Sequence, residues 1–247
     1  MCAAATIFLF TDFGSTDIYV GQMKAVLQAR SPASAVVDLA NDLPAFDVPA
    51  AAHLLAALTP QLPGGAVTVC VVDPGVGSAR RPLAVKADGR WFVGPDNGLM
   101  SVVAARSIDV ACYELRPLDQ ALSASFHGRD LFAPHAALLA TGSSKLGGMT
   151  TVRTLDVDFG SDDLPCVVYV DHYGNVLTGV RASSLDPERG LTVREQSVKR
   201  ARVFSDVAAG ALFCYENSIG LMEIAANQAS AARLLDLSIG DAVHIGD

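Results

Sequence analysis

Val67-Thr68-Val69-Cys70-Val71-Val72-Asp73-Pro74-Gly75-Val76-Gly77-Ser78-Ala79-Arg80 is the stretch on which the fold turns. Its first six residues form a short, β-branched, largely apolar run bounded by turn residues, the pattern of a buried strand. That strand delivers a carboxylate and a guanidinium seven residues apart around a glycine turn. An Asp beside an Arg stays ionised and can orient a water, while Gly-Val-Gly lets a ligand approach main-chain N–H groups. The same residues also fit a structural turn capped by an ion pair, since Asp-Pro-Gly is ordinary turn chemistry.

Upstream, strand-like and helix-like stretches alternate: Thr6–Phe10, Ile18–Arg30, Ala35–Leu39, Val48–Leu58, then Val67–Val72. Such alternation predicts β-α-β units around a mainly parallel sheet. Asp47 stands where a cap for the Val48–Leu58 helix belongs. Further strands are predicted at Leu83–Lys86, Trp91–Val93 and Asp109–Tyr113, with helices at Leu99–Ala105 and Asp130–Ala140. After about residue 145 the pattern changes to short β-like runs at Cys166–Asp171, Val176–Val180, Leu191–Arg194, Ala211–Tyr215 and Ala242–Ile245. The expected fold is an α/β N-terminal domain with a mainly parallel sheet (residues 1–150) and a smaller, mainly antiparallel β C-terminal domain (residues 165–247). The boundary is expected within residues 142–164, where Gly, Ser, Asp and Thr are dense.

The chain has 247 residues, 51% of them hydrophobic, enough for a substantial core. Its 18 basic and 26 acidic residues give a net charge of −8. This disfavours a nucleic-acid partner, which needs clustered Lys and Arg. The five cysteines are scattered singly, against a disulfide framework and a zinc site, and Cys70 reads as a small buried apolar residue. No basic n-region precedes Thr6–Phe10 and no run approaches the roughly 18 apolar residues of a membrane helix, so a cytoplasmic protein without membrane contact is expected.

Two further segments place polar groups at element ends. Thr11-Asp12-Phe13-Gly14-Ser15-Thr16-Asp17 follows the first strand, and Ser125-Phe126-His127-Gly128-Arg129-Asp130 opens a helix. In open α/β sheets ligands bind beyond the carboxyl ends of strands, where the loops after the first and third strands gather. Asp17 reads as a helix cap, and Arg129 with Asp130 as a local ion pair. His53, His135 and His244 have no ligand pattern around them and read as structural. The letters Asp-Phe-Gly do not mark a kinase metal site, because no Gly-rich loop, strand lysine or His-Arg-Asp loop precedes them.

The blocks TDFGSTDIYVGQMK (11–24), VVDPGVGSARR (71–81), GPDNG (94–98), FHGRDLFAP (126–134) and DHYGNVLT (171–178), in this order, resemble the S-adenosyl-L-methionine (SAM) hydroxide adenosyltransferase family, which is related to the SAM-dependent chlorinases and fluorinases. The resemblance implies hydrolysis of SAM to adenosine and L-methionine without metal or cofactor, SAM being the substrate. It also implies a homotrimer with its sites at subunit interfaces. Carried onto this sequence, Asp73, Arg80 and His127 would hold and activate the water that attacks ribose C5′. Arg80 would stabilise hydroxide, and Asp73 or His127 would take the proton. Asp12 would bind the ribose hydroxyls, and Phe46 would sit near the nucleoside or the sulfur, although a plain core Phe fits equally. Asp171 and Asn175 would hold the methionine ammonium and the adenine edge, Ser218 the methionine carboxylate, Glu223 would line the site, and Ala226 and Asn227 would face adenine.

A halogenase of the same fold and a non-catalytic SAM or adenosine sensor are the alternatives. Asp73 favours water over halide, since an anionic side chain repels the ion. Gly128 is shared by the hydrolytic and chlorinating branches. The chain departs from the family pattern at Asn41, where relatives usually carry His, and at Gly179, where many carry Asn or Asp.

Overall fold

The computed structural model describes residues 4–118, 122–142 and 148–246. The chain divides into two compact units, residues 1–161 and 162–247. The first unit is built on β1 (Ile7–Thr11), α1 (Ile18–Arg30), β2 (Val36–Ala40), α2 (Val48–Leu58), β3 (Val67–Val71), β4 (Pro82–Ala87), β5 (Arg90–Pro95), α3 (Ser101–Arg106), β6 (Val110–Leu115), α4 (Ala133–Ala140) and β7 (Met149–Val152). Asp17 caps α1 by accepting from Ile18 N–H at 2.6 Å, and Asp47 caps α2 by accepting from Ala50 N–H at 3.0 Å.

One seven-stranded sheet runs in the order β2-β1-β3-β5-β4-β6-β7. Pairing is parallel from β2 through β5 and antiparallel beyond. Strand β7 lies in the stretch whose composition reads as irregular. Its residues Thr150 and Thr151 are exposed at the sheet edge, so no apolar alternation announces it. The helix expected from Asp130 opens instead with a π turn at Gly128–Phe132 and becomes α-helical at α4.

The parallel half matters most for function. From β1 the chain goes to β2 on one side and then returns to β3 on the other, so β1 and β3 are adjacent and their following loops part in opposite directions. That arrangement leaves a crevice at the carboxyl ends of the two strands. Beneath it, Leu9, Val69 and Val71 pack with Met23 and Leu27 of α1 and Ala136 and Ala137 of α4 in one dry core. Cys70 is fully buried, and burial pushes its thiol far above the ordinary value.

The second unit holds β8 (Leu164–Val170), β9 (Val176–Arg181), β10 (Leu191–Val193), β11 (Gln196–Val198), β12 (Leu212–Glu216), β13 (Leu221–Ala226), the one-turn α5 (Ala231–Leu234) and β14 (His244–Ile245). They form two antiparallel sheets, ordered β12-β13-β9-β8 and β11-β10-β14. Val176, Ile224 and Met222 of one and Leu191, Val193 and Val198 of the other share a core. Gly179 sits where β9 passes close to β8: a Cβ there would lie 2.5 Å from the Leu164 carbonyl oxygen, so any side chain would force the two strands to shift. No helix among the described residues is long and apolar enough to cross a membrane.

Candidate active site

Register sets the first pair of functional groups. Thr11 pairs with Val71 across β1 and β3, so Asp12 and Asp73 emerge from neighbouring strand ends, and Asp12 N–H donates to Val71 O at 3.3 Å. Burial raises the Asp12 carboxyl above its ordinary value, and the charge of Asp73 acts in the same sense. One Asp12 oxygen accepts from Phe46 N–H at 3.0 Å. Phe46 has φ 65° and is 73% exposed, a left-handed backbone and an uncovered ring that local sequence preference disfavours. Backbone cost of this kind, of order ~1–3 kcal/mol, persists where the surroundings fix it. Here the Asp12 carboxylate is one such constraint. Asn41 holds the turn that follows β1, accepting from Thr11 Oγ1 at 2.9 Å through its side chain and from Gly14 N–H at 2.7 Å through its backbone carbonyl. Asn41 thus shapes the loop that carries Asp12.

Asp73 and Arg80 form a forked pair. Arg80 Nε lies 2.9 and 3.0 Å from the two carboxylate oxygens, and Nη2 donates to Oδ2. The side chains are only 4% and 9% exposed. Arg80 Nη2 also meets His127 Nδ1 at 3.0 Å. A guanidinium can only donate, so Nδ1 is the acceptor and the neutral imidazole carries its proton on Nε2. Burial, followed by the neighbouring Arg80 charge, holds His127 below its ordinary pKa and keeps it neutral at pH 7. The guanidinium lies over the Phe132 ring at 5.4 Å, and its Nη1 finds no protein acceptor among the described residues. Gly77, at φ 79°, lets the loop pass within a Cβ's reach of the Ala124 carbonyl, since an added Cβ would stand 2.7 Å from it.

These groups line a cavity of about 420 Å³ together with Phe13, Phe46 and Phe126. Asp12, Phe46, Asp73 and His127 face it, with Arg80 immediately behind Asp73 and His127. Gly128 forms its floor: a Cβ there would meet Phe126, Met23 and Phe13 at 3.3–3.4 Å. Asp17, the cap of α1, also lines the cavity, whereas Arg129 and Asp130 do not, Arg129 Nε pairing with Asp130 Oδ1 at 2.6 Å. His53 and His135 bond through Nδ1 to Pro49 O and Leu131 O within their own helices.

In the second unit Asp171, Asn175, Ser218, Glu223 and Ala226 line one cavity of about 1110 Å³. Asp171 organises its own turn, accepting from Tyr173 and Asn175 N–H at 2.9 and 2.8 Å and from Asn175 Nδ2 at 2.9 Å. Asn227 does not line this cavity. Its amide donates to Val207 O at 2.8 Å, and its backbone N–H and C=O bond to Ala211 and Gly210. Glu223 is buried, which raises its carboxyl above the ordinary value, and it accepts from Tyr215 Oη at 2.6 Å and Asn217 Nδ2 at 3.0 Å. Sequence reading did not find Tyr215 or Asn217. The signal was the hairpin: Tyr215 stands directly opposite Glu223 across β12 and β13, but only pairing of those strands makes them neighbours. Among the described residues no group of three or more His, Cys, Asp or Glu is placed to hold a metal ion.

A cationic fork flanked by a carboxylate and a neutral imidazole, facing a second carboxylate across a small aromatic cavity, defines a site for polar displacement chemistry. The family models of the SAM hydroxide adenosyltransferase N-terminal and C-terminal domains match residues 7–148 and 165–244. The chain is 40% identical to the (R)-S-adenosyl-L-methionine hydrolase of Thermus thermophilus, over 97% of this chain and 98% of that one. It is 38% identical to the (R)-S-adenosyl-L-methionine hydrolase of Salinispora arenicola, over 99% of each. A crystal structure of a conserved protein from Thermotoga maritima superposes with a TM-score of 0.89 at 30% identity, covering 98% of this chain and all of that one. The chain belongs to the SAM hydroxide adenosyltransferase family.

Proposed function

We propose that the protein hydrolyses SAM to adenosine and L-methionine by direct displacement at ribose C5′. The observation that carries this reading is the Asp73–Arg80–His127 network, in which Asp73 and His127 line one cavity with Asp12 and the buried Arg80 bridges them from behind. Water attacks C5′ as the C5′–S bond breaks. The sulfonium takes the bonding pair and leaves as a neutral thioether, so the leaving group needs no acid. The barrier lies in the poor nucleophilicity of water, which three groups address. Arg80, directly behind Asp73 and His127, stabilises developing hydroxide through its charge. His127 offers Nε2–H as a second donor. Asp73 takes the proton, because the His127 lone pair on Nδ1 is already occupied by Arg80, while a carboxylate offers about four acceptor positions and Arg80 fills only part of them. Asp12, with one oxygen on Phe46 N–H, keeps the other for the ribose hydroxyls.

Asp171, Asn175, Ser218, Glu223 and Ala226 are assigned to the adenine and methionine portions, SAM being a substrate and no cofactor being required. Assembly is assigned as a homotrimer in which the cavity of one subunit is completed by the C-terminal unit of a neighbour. The exposed apolar residues Ile18, Tyr19, Phe46 and Val76 around the first cavity support it, since uncovered apolar patches mark interaction surfaces. A cytoplasmic location belongs to the same reading, supported by Cys70, Cys112 and Cys214 being free thiols.

The test is incubation with SAM and EDTA in chloride-containing and chloride-free buffers, with chromatography of the nucleosides. Adenosine in both buffers is expected. 5′-Chloro-5′-deoxyadenosine with chloride would make the protein a halogenase, and tight binding without product a sensor.

A further inference from the structure

The block Gly94-Pro95-Asp96-Asn97-Gly98 contributes nothing to either cavity, yet it touches both ends of the loop that carries the water-activating pair. At the entrance, Asn97 Nδ2 donates to Val72 O at 2.8 Å, the carbonyl directly before Asp73. At the exit, Asp96 N–H donates to Arg81 O at 2.9 Å, and Asp96 Oδ2 accepts from Arg81 Nη2 at 2.6 Å, one residue beyond Arg80. The Asp96 side chain is 1% exposed. Its oxygens also accept from Asp156 N–H at 3.1 Å, and Asp156 returns a second carboxylate to Arg81 at 2.7 Å. Arg81 Nη2 completes the set on Thr154 O at 2.9 Å. Strand β5 lies so close to β3 that a Cβ on Gly94 would stand 2.2 Å from Cys70 O, so the block is pressed against the strand that ends in Asp73.

We propose that Asp96 and Asn97, with Arg81, are positioning residues that clamp both ends of the Asp73–Arg80 loop and so set the separation at which Arg80 forks onto Asp73. Two adjacent residues hold the two termini of an eight-residue loop, whose backbone N–H bonds are short-range turns: Val76 N–H to Asp73 O, Ser78 N–H to Gly75 O and Arg80 N–H to Ser78 Oγ. Those turns fix local shape, and the Asp73–Arg80 fork joins the ends only through side chains, so the backbone separation is left to the clamp. Because the pair must meet a reacting water within a few tenths of an ångström, loosening either end acts on turnover rather than on substrate affinity. The inference rests on the hydrolytic reading for its kinetic consequence and on geometry alone for its structural one.

The experiment compares wild type, Asn97→Ala, Arg81→Lys, Arg80→Ala and Asn97→Ala/Arg80→Ala. For Asn97→Ala and Arg81→Lys, kcat falls between ~10- and ~10²-fold with KM within about 2-fold of wild type. In the double variant Asn97→Ala costs nothing beyond Arg80→Ala, because the clamp works through the pair. An additive loss, or a change in KM alone, overturns the proposal. Amide exchange supplies a readout free of activity: in Asn97→Ala the Val76, Ser78 and Arg80 amides exchange faster while those of Leu9 and Val69 do not change. If wild type turns over no SAM, the hydrolytic reading fails by itself, and unchanged loop exchange is then the result that overturns the clamp. Arg81→Lys keeps the charge while losing the fork, and serves where Asn97→Ala does not fold.

Discussion

Arg80→Ala tests the site most severely, because it removes the cation from a carboxylate that is only 4% exposed. The forked contacts to Asp73 and the bond to His127 Nδ1 go together. Stranding a buried charge costs about 3–5 kcal/mol of stability, against the ~5–15 kcal/mol typical of a domain, so the variant folds but unfolds at lower urea. Loss of a preorganised charge at the developing hydroxide should lower kcat by roughly 10²–10³-fold. Adenosine affinity should hold within ~2-fold, since its partners are elsewhere. Adenosine formation under saturating SAM, calorimetry with adenosine and urea titration give the three quantities separately. A second substitution sharpens the result: Asp73→Asn in the Arg80→Ala background removes the stranded charge, and should restore about 1–3 kcal/mol of stability without restoring turnover. Turnover within tenfold of wild type in Arg80→Ala, or a parallel loss of adenosine affinity, would refute the role given to Arg80. Failure of the double variant to recover stability would refute the buried-charge account.

Three other outcomes are expected. Because His127 is held below its ordinary pKa, the folded protein resists binding a proton that the unfolded chain accepts near pH 6.5. Its contribution to stability is therefore complete above that value and falls as pH drops towards the folded pKa. Turnover loses its acid side in the same window as Nδ1 protonates against Arg80, and a pH–rate profile of His127→Gln lacking that limb checks this. Glu223 has the opposite sign: its raised carboxyl makes the folded state the better proton binder, so its contribution is complete below about pH 4.3 and declines as pH rises through the folded pKa. The stability difference between Glu223→Gln and wild type should therefore grow over that interval in urea titrations, and a pH-independent difference would contradict it. Gly94→Ala forces a Cβ to 2.2 Å from Cys70 O, between backbones that cannot yield cheaply, and should cost about 3 kcal/mol by urea denaturation. A loss under 1 kcal/mol would show that β3 and β5 separate easily.

Local chemistry settled much of this protein before any folding was considered. The apolar run from Val67, the alternation before it and the caps at Asp17 and Asp47 are near-neighbour effects, and the strands and helices from β1 to β3 stand within a residue of where those effects put them. Strands β7, β11 and β13 escaped, β7 because both its central residues face outward and β13 because all six of its residues are buried and show no alternation, as did the π turn at Gly128. Motif blocks named Asp12, Asp73, Arg80 and His127 but could not say how they meet. That was decided by β1 and β3 becoming adjacent across 60 residues of chain, by the fork closing on Asp73, and by Arg80 claiming one nitrogen of His127 and so fixing its tautomer. Tyr215 and Asn217 became partners of Glu223 only when β12 paired with β13. Residue type and short-range spacing fix which groups can do chemistry. Distances between groups far apart in sequence, and the burial that shifts their protonation, exist only once the sheet has brought them together.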